Sequence, residues 1–494
     1  MQQILPEGLI LNQETDFSLE EYLGRLKSSE KSGNEQNSFK NVCAIIEELF
    51  EREWEHTDEI AKSIKLEREK RAIMGYESEM NYYKEKIKEM LINLKLTDVK
   101  PPNWFPNLSE AIFAELYGLS GLAPWAYDME SKYEKSPSAK LIGDRLYCLI
   151  DGKEVLQPQK IPLERRNKLK RALLMATPAE RTEYGYHEVY LRNGIRITIY
   201  SGSRTKEQQD IMVFRKYILK KLDFDSLIEY GTIPESAKPI FLKMIEIGFN
   251  VIFAGRVRSG KTTMLQIWQC CEDKSLEGVA VATDPETKWH ILMPEAPIMQ
   301  LIADGDELEL VAKSLLRGDN DYILLEEMRD AAAFKLALDI TSTGTVRSKA
   351  TIHDNDGISV PYKMASKIVQ KYGGRINPVI AQIYSNFDYV IELCQHPYDP
   401  KRKVVKGIVE YSYDKMRDEV YGDYICRYDF DSDCWLWRTH MAEEKYEKFS
   451  GLGKEIKELE NMLKKLETTN PAVIKNPELW SISPSYYEKR VEYV

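Results

Sequence analysis

The chain has 494 residues and a mass of 57.4 kDa, which is too long for a single hydrophobic core, so several domains are expected. Its 69 Lys and Arg against 79 Asp and Glu give a formal net charge of -10, which argues against a dedicated nucleic-acid-binding protein. The seven cysteines are scattered without a C-x-x-C pair, so no disulfide framework or zinc ribbon is indicated and a reducing cytoplasm is expected. No stretch approaches the roughly 20 apolar residues of a membrane span.

The N-terminal half of the chain changes pattern twice. Residues 38–100 carry apolar side chains at helical spacing and are expected to form a small helical hairpin. Pro101 and Pro102 end that pattern, since consecutive prolines cannot continue a helix. Residues 144–150 and 194–200 then alternate like strands, which predicts a mixed α/β domain.

The stretch 250–263 is an apolar run, a glycine-containing loop and the start of a helix, and it fits the pattern G-x-x-x-x-G-K-[ST]. Gly255 and Gly260 allow the tight bend that aims backbone N–H groups and a helix N-terminus at phosphate. Lys261 can reach the β- and γ-phosphates of ATP, and the Thr262 hydroxyl can ligate the bridging Mg²⁺. A chance glycine-rich turn is the alternative, which the flanking strand and helix disfavour. The loop residues predicted to bind nucleotide are Gly255, Arg256, Val257, Arg258, Ser259, Gly260, Lys261, Thr262 and Thr263.

Short apolar runs separated by helical patterns follow the phosphate loop, which predicts a parallel sheet covered on both faces in a P-loop nucleoside triphosphatase core. At least one further strand, ending at 283–286, lies between the phosphate-loop strand and the strand at 321–325. This points to the RecA-like branch of that fold, in which an intervening strand separates the two phosphate-facing strands. Glu327 follows the strand at 321–325, where a carboxylate can prepare the attacking water. Its alternative role is a helix N-cap. The predicted strands are 278–283, 296–302, 321–325, 349–353 and 389–393.

The C-terminal pattern predicts antiparallel strands followed by a helix with an apolar seam. That seam is too short for a coiled coil, so pairing with another helix and packing on its own domain are equally open. The seam residues are Leu452, Ile456, Leu459, Leu463 and Leu466. Five segments are expected in all: a flexible tail (1–37), a helical extension (38–100), an N-terminal α/β domain (101–232), a RecA-like ATPase core (233–415) and a C-terminal β/helical region (416–494).

Several segments together resemble the secretion traffic ATPases of type II and type IV secretion, conjugation, type IV pilus and Tad pilus machines. The resemblance extends from about Arg196 to Glu392. It rests on the doubled threonine of the phosphate loop, an aspartate box at 283–287, a Walker B segment at 314–329, and a threonine-glycine turn and histidine box at 343–344 and 350–353. It implies that Asp284 contributes to nucleotide binding, that Glu327 also lies near the metal, and that His353 senses the γ-phosphate or the subunit boundary. The residues it implies for catalysis are Glu327, Lys261, Glu286, Arg329, His353, Arg196 and Arg215.

Arg196 and Arg215 resemble arginines of the family's N-terminal domain that touch nucleotide near the subunit boundary. For a single arginine on a strand, the alternative is a solvated or salt-bridged side chain.

Three positions depart from the family pattern. Arg258 replaces a glycine in the phosphate loop and is expected to cost room near the phosphates. Glu326 replaces the glycine before Glu327, and its charge would raise the pKa of Glu327 if the two carboxylates approached each other. Thr283 replaces a glutamate of the aspartate box, which leaves Asp284 to do the polar work of that box.

The resemblance implies an ATP-hydrolysing homo-hexamer that uses ATP and Mg²⁺ and drives membrane-embedded secretion or pilus platform proteins. Such a protein is cytoplasmic and peripheral at the inner face of the cytoplasmic membrane. No zinc and no direct nucleic-acid binding are expected. One alternative is a RecA-like DNA translocase, which the acidic balance disfavours. The other is a nucleotide-binding assembly subunit with weak hydrolysis, suggested by Arg258 and Glu326.

Overall fold

A computed structural model of the protein describes residues 35–55, 58–177, 186–206, 209–216, 222–282, 287–303, 305–315, 318–469 and 481–482. Contacts between residues divide the chain into two units, Met1–Ile218 and Leu219–Val494. No helix in these described ranges is both long enough and apolar enough to cross a bilayer.

The first unit combines helices with an antiparallel sheet. Its strand order is β3-β2-β1-β6-β5-β4, and every neighbouring pair is antiparallel. The strands are β1 Ser138–Ile142, β2 Arg145–Ile150, β3 Lys153–Lys160, β4 Tyr186–Tyr190, β5 Arg196–Tyr200 and β6 Ile211–Arg215. The helices are α1 Glu35–Glu55, α2 Glu59–Ile73, α3 Glu77–Asn93, α4 Leu108–Leu116, α5 Ala123–Ala126, α6 Ser131–Glu134 and α7 Leu163–Met175, with 3₁₀ turns at Ser120–Leu122 and Gly202–Arg204.

The helical hairpin expected over residues 38–100 is wrong in number, because the segment forms three helices, α1 to α3. Asp58 starts α2 by accepting a hydrogen bond from the Ala61 backbone N–H at 2.8 Å. Ile46 and Ile87 of these helices share one hydrophobic core with Ile197 of the sheet. The helices therefore pack as part of the first unit, because their apolar faces are buried together with those of the strands.

The second unit is built on a ten-stranded sheet with the path β15-β14-β13-β12-β7-β11-β10-β8-β9, and β16 pairs with β14. Its strands are β7 Val251–Gly255, β8 Gly278–Ala282, β9 Ile298–Ile302, β10 Tyr322–Met328, β11 Lys349–Ile352, β12 Tyr389–Gln395, β13 Lys403–Asp414, β14 Glu419–Asp429, β15 Cys434–Trp437 and β16 Ser481–Ile482. Its helices are α8 Phe224–Glu229, α9 Ala237–Ile247, α10 Lys261–Cys270, α11 Trp289–Leu292, α12 Asp306–Leu315, α13 Ala331–Thr341, α14 Val360–Tyr372, α15 Ile376–Asn386, α16 Glu443–Lys448 and α17 Gly453–Thr469, with a 3₁₀ turn at Ser450–Leu452.

The part of this sheet from β12 to β9 is parallel and has a core on each face, which confirms the predicted architecture. Phe253 and Leu324 contribute to one core, whereas Ile252 and Ile323 contribute to the other. Successive residues of a strand point to opposite faces, so a strand covered on both sides must be apolar throughout.

The strand that separates β7 from β10 is β11, which pairs in parallel with both. The sequence predicted that the strand preceding residues 283–286 would separate β7 from β10. That strand is β8, and it lies instead on the other side of β10. A strand separating the two phosphate-facing strands is therefore present, but it comes later in the chain, because chain order does not fix order across a sheet.

The C-terminal strands continue the same sheet, since β13 pairs antiparallel with β12 and β14 pairs with β13. Helix α17 carries the apolar seam. Its residues Ile456, Leu459 and Leu463 are fully buried in the core that holds Phe253. The seam packs on its own unit. The five-segment division stays a prediction, and the described contacts group the chain into the two units above.

Candidate active site

The phosphate loop joins β7 to α10 at the carboxyl edge of the sheet. All five residues of β7 are buried, and the chain then bends through a turn in which Ser259 N–H donates to Arg256 O at 3.2 Å. Gly260 has φ +95 and is the N-cap of α10. The helix begins with Lys261, and the Met264 N–H to Gly260 O bond of 2.9 Å closes its first turn. The first N–H groups of α10 have no acceptor within the helix and point out of this end, where helices commonly bind anions.

The loop can form only because Gly255 has no side chain. A Cβ atom at this position would lie well inside contact distance of Ser259 Oγ and of the Leu393 carbonyl oxygen on β12. The loop therefore packs closely on itself and on β12 around Gly255. This packing holds the tight bend that directs the first N–H groups of α10 toward an anion, so the residues present fit a nucleotide.

We expect Gly255→Ala to lower the affinity for ADP at least about tenfold and to lower the melting temperature of the ligand-free protein. Overpacking of this kind costs about 1–3 kcal/mol. ADP titration and a thermal melt measure the two effects. The matched control is Gly453→Ala, because a Cβ there meets nothing within 4 Å. Unchanged affinity and melting temperature in Gly255→Ala would contradict the close packing assigned to the loop.

Arg258 occupies a backbone conformation that favours glycine. Its φ is +67, and left-handed backbone costs an L-residue about 1–2 kcal/mol. The side chain is exposed. That the Arg258 side chain reduces the room near the phosphates stays a prediction. The strain at this position comes from the left-handed backbone of Arg258.

Lys261, His353 and Glu327 form a hydrogen-bonded chain across three elements of the second unit. The Lys261 ammonium donates to Arg256 O at 3.0 Å and lies 3.2 Å from His353 Nδ1. His353 Nε2 lies 2.7 Å from Glu327 Oε1. An ammonium group only donates, so Nδ1 accepts and the ring proton is on Nε2, from which it donates to Glu327. The loop lysine, the histidine after β11 and the carboxylate of β10 are therefore brought together.

Glu327 lies at a bulge near the end of β10. Its φ is +66, and the pairing register with β11 shifts between Leu325 and Met328. Its backbone N–H donates to Thr351 Oγ1 at 2.8 Å. Non-glycine residues with such backbone angles are concentrated at functional sites. The bulge turns the carboxylate toward β11 and His353.

The Glu327 carboxylate is held ionised by its neighbours. Arg329 Nη2 donates to Oε2 at 2.5 Å, while His353 occupies Oε1. Burial by itself raises the pKa of Glu327, but the hydrogen bonds from His353 and Arg329 outweigh burial and lower the pKa to about 2. In the ligand-free protein this carboxylate is a weak base, and it must leave at least one of these partners before it can accept a proton from water.

Glu326 does not act on Glu327 as a neighbouring like charge. Its carboxylate accepts a hydrogen bond from Trp289 Nε1 at 2.8 Å and another from the Thr287 backbone N–H at 3.3 Å. Both partners follow β8, whereas the partners of Glu327 include residues on and after β11. The two carboxylates are directed to opposite neighbouring strands, so the condition for a raised pKa is not met, and the pKa of Glu327 is lowered.

The C-terminal end of α10 is tied to β11 by a buried ion pair. Lys349 Nζ lies 2.6 Å from Glu272 Oε1, and Arg347 Nη1 lies 2.8 Å from Glu272 Oε2. Burial lowers the pKa of Lys349 to about 8, although Glu272 partly opposes that shift. The pair fixes the phosphate-binding helix against the strand that leads to His353.

Three of the expected site residues, Thr283, Asp284 and Glu286, lie outside the described residues. Arg196 and Arg215 belong to the first unit, where they are cross-strand neighbours on β5 and β6. The proposed roles of these five positions stay predictions.

The two arginines of the first unit differ in their surroundings. Arg196 Nη2 donates to both carboxylate oxygens of Glu188, at 2.7 and 2.9 Å. Arg215 is exposed and forms no side-chain hydrogen bond or ion pair with any residue in the described ranges. Arg215 is therefore the more available of the two for a ligand.

Metal binding by this site would depend on a bound nucleotide. Within the described ranges, no three His, Cys, Asp or Glu side chains are grouped closely enough to hold a metal ion. Thr262, the second residue of α10, offers a hydroxyl at the phosphate-binding end. Mg²⁺ commonly takes one or two protein ligands together with phosphate oxygens, so this donor set fits Mg²⁺.

The tertiary structure brings two further residues to the site, Thr351 and Lys403, which were not predicted from the sequence. Thr351 receives the Glu327 backbone N–H, and a polar residue within the apolar strand β11 was an available signal. Lys403 packs beside Gly260. Nothing in its local sequence indicates this position, because it depends on the β12–β13 hairpin.

Part of the chain is similar to known proteins. Residues 206–427, which include the phosphate loop, β10 and β11, match the family model described as type II/IV secretion system protein. A curated relative from Sinorhizobium fredii (strain NBRC 101917 / NGR234), a probable conjugal transfer protein TrbB, is 24% identical over 204 residues. That alignment covers 40% of this chain and 58% of the relative, so the chain spans little more than half of the relative's length.

Two solved structures are also similar to the chain. The VirB11 ATPase of the Brucella suis type IV secretion system, in complex with sulphate, is 15% identical with a TM-score of 0.31, covering 58% of this chain and 95% of that one. The Legionella pneumophila ATPase DotB is 12% identical with a TM-score of 0.42, covering 76% of this chain and 95% of that one.

Proposed function

We propose that this chain, whose residues 206–427 match the family model described as type II/IV secretion system protein, hydrolyses ATP to drive a membrane-bound secretion, conjugation or pilus-assembly machine. It would act at the inner face of the cytoplasmic membrane as a homo-hexamer, together with membrane-embedded platform proteins. The proposal rests on the family match and on the chemistry of the second unit.

The observation that carries the enzymatic part is the chain Lys261–His353–Glu327. It joins a cation at a phosphate-binding helix to a carboxylate at the end of a parallel strand. Phosphoryl transfer to water needs charge compensation on the transferred group and a base in line with it. Both groups lie at the carboxyl edge of the sheet, where open α/β sheets bind their ligands.

ATP binding would rearrange this chain. The Lys261 ammonium would exchange the Arg256 carbonyl and His353 for phosphate oxygens, because the charged phosphates are the stronger acceptors. His353 would then turn its Nε2–H from Glu327 to the terminal phosphate, which would release Glu327 toward water. Bound nucleotide would thus activate the carboxylate that is held by His353 and Arg329 in its absence.

Mg²⁺ would be held by Thr262 and the nucleotide, with Glu327 as a second protein ligand, directly or through water. When bound, the ion supplies charge neutralisation of the β- and γ-phosphates. Both Glu327 oxygens accept hydrogen bonds in the ligand-free protein, so a direct contact requires His353 or Arg329 to move.

Phosphate release by the purified full chain tests the enzymatic proposal. We expect hydrolysis that requires Mg²⁺ and is absent in Lys261→Ala. Double-stranded and single-stranded DNA should leave the rate unchanged. A rate that rises severalfold with DNA would instead support the translocase.

A nucleotide-binding subunit with weak hydrolysis is the second candidate, favoured by the strained backbone of Arg258 and the double engagement of Glu327. Under this alternative, ADP binds to the full chain but no Mg²⁺-dependent phosphate release exceeds that of Lys261→Ala. The same assay therefore separates the two candidates.

The hexamer proposal assigns Arg215 to the nucleotide of a neighbouring subunit. Arginine suits that position because its planar, permanently charged group clamps phosphate oxygens and adds charge compensation when domains close. We expect Arg215→Ala to retain ADP binding but to lower turnover by about 10³-fold or more, as loss of an arginine finger does. Nucleotide titration and steady-state phosphate release measure the two effects.

Mixing two inactive variants tests whether Arg215 acts between subunits. Arg215→Ala mixed with Lys261→Ala should recover activity, since some boundaries then pair an intact arginine with an intact phosphate loop. The control replaces Arg215→Ala by the double variant carrying both substitutions, which should recover none. If mixed hexamers form without recovery at any ratio, Arg215 has no intersubunit role.

A further inference from the structure

Lys403, the first residue of β13, lies against the phosphate loop. It is paired with Gln395 at the end of β12, and Leu393 of β12 is in register with Gly255. The Lys403 Cδ atom lies 3.3 Å from the position that a Cβ atom of Gly260 would occupy. Because Gly260 has no side chain, the lysine stem packs directly on the N-cap of the phosphate-binding helix.

Among the residues that the structure describes, none forms a hydrogen bond or ion pair with the Lys403 ammonium. The surroundings of the Lys403 ammonium disfavour its charge. Burial, followed by the positive charge of Arg258, lowers the pKa of Lys403 below its usual range. Two like charges beside the same loop destabilise the ligand-free site.

Three other lysines of the second unit that are buried or partly buried have anionic partners. Lys349 and Lys445 are buried, and their ammonium groups lie 2.6 Å from Glu272 and 2.8 Å from Asp388. Lys406, three residues after Lys403 on the same strand, lies 3.5 Å from Glu392. Lys403 is partly buried, and charges removed from water are normally paired. Its lack of a described partner beside a phosphate loop therefore indicates an anion that binds there.

The sheet order decides which part of a nucleotide Lys403 would meet. β11 and β10, with His353 and Glu327 at their ends, lie on one side of β7, whereas β12 and β13 lie on the other. The terminal phosphate is expected on the side of the catalytic carboxylate. Lys403 therefore lies beside the end of the phosphate chain that is attached to the sugar.

We propose that Lys403, assisted by the charge of Arg258, binds the sugar-proximal phosphate of a nucleoside di- or triphosphate. This inference rests on the proposed nucleotide site and adds a binding residue to it. ADP and ATP share this phosphate, so the contact would strengthen the binding of both equally and would not change during hydrolysis. Such uniform binding affects the dissociation constant and leaves kcat unchanged.

Lys403→Met tests the proposal, because it removes the charge and keeps the length of the apolar stem. Calorimetric titration with ADP uses the full chain, and titration with ATP uses the Glu327→Gln background to prevent hydrolysis. We expect both dissociation constants to rise by a similar factor of about ten or more. In the Glu327-intact chain, kcat at saturating ATP should stay within about twofold of the wild-type value.

Two further variants control the measurement. Lys415→Met removes an exposed lysine from the far end of the β13–β14 hairpin and should change neither dissociation constant. Lys403→Arg keeps the charge and should retain most of the affinity. The melting temperature of ligand-free Lys403→Met should be no lower than that of wild type, because removing a cation beside Arg258 relieves repulsion. If the Lys403 charge instead stabilised the fold, its loss would lower the melting temperature.

Unchanged affinity for ADP in Lys403→Met overturns the proposal. A loss confined to ATP, or a large fall in kcat, overturns the assignment to the sugar-proximal phosphate. Failure of the motor proposal looks different, because the wild-type protein then releases no phosphate. The ADP dissociation constants of Lys403→Met and its control variants can still be compared in that case.

Discussion

Lys261→Ala should reduce Mg²⁺-dependent phosphate release by a factor on the order of 10³ or more. The transition state loses a positive charge on the β- and γ-phosphates, and no other described side chain replaces it at the start of α10. Steady-state phosphate release at saturating ATP measures the effect. The fold should survive, because the Lys261 side chain contributes hydrogen bonds to Arg256 O and His353 that are worth about 1 kcal/mol each.

The matched control is Lys274→Ala, an exposed lysine in the turn after α10 that pairs with Glu295 across the surface. A surface ion pair contributes about 0–1 kcal/mol, so that variant should hydrolyse ATP as the wild type does. A thermal melt checks that both variants are folded. Normal turnover in a folded Lys261→Ala protein would remove the phosphate loop from the active site.

Glu327→Gln should bind ATP and retain the proposed hexamer but hydrolyse ATP about 10²- to 10⁴-fold more slowly, since an amide has the shape of the carboxylate but cannot take a proton from water. Single-turnover hydrolysis with prebound ATP separates this loss from weaker binding. The amide can still interact with His353 and Arg329, so the ligand-free site should change little.

Two carboxylate controls accompany this variant. Glu326→Gln is the local control, because the Glu326 side chain is directed to Trp289 and Thr287 and should be dispensable for the chemical step. Glu286→Gln tests the aspartate box. If Glu286→Gln is inactive while Glu327→Gln is nearly normal, the base is Glu286 and the roles assigned to the two carboxylates are exchanged.

The nucleotide site illustrates how far sequence patterns extend. The phosphate loop is local: Gly255 to Thr262 are consecutive, and the strand and helix that flank them are encoded by neighbouring residues. Its backbone is therefore predictable from the motif. The contact between Lys261 and His353 joins positions 92 residues apart, and the motif has no information about the distance between them.

The paired acidic residues of β10 show the same limit. Their sequence predicts a strand end rich in negative charge, and adjacency suggested that the two charges would interact. A bulge with positive φ at Glu327 directs one carboxylate to His353, and the other is held by Trp289. Backbone geometry at a single residue decides this, and the identities of the two residues do not encode it.

The sequence by itself determined the features that depend on neighbouring residues: the phosphate loop, the apolar strands of a sheet with two covered faces, and Glu327 as the carboxylate at a strand end. The tertiary structure decided that β11 lies between β7 and β10, that the seam of α17 packs on its own unit, and that Lys403 lies beside Gly260. The physical reason is that a strand's burial pattern specifies which faces it must cover, whereas its neighbours across the sheet are chosen by the packing of the whole unit.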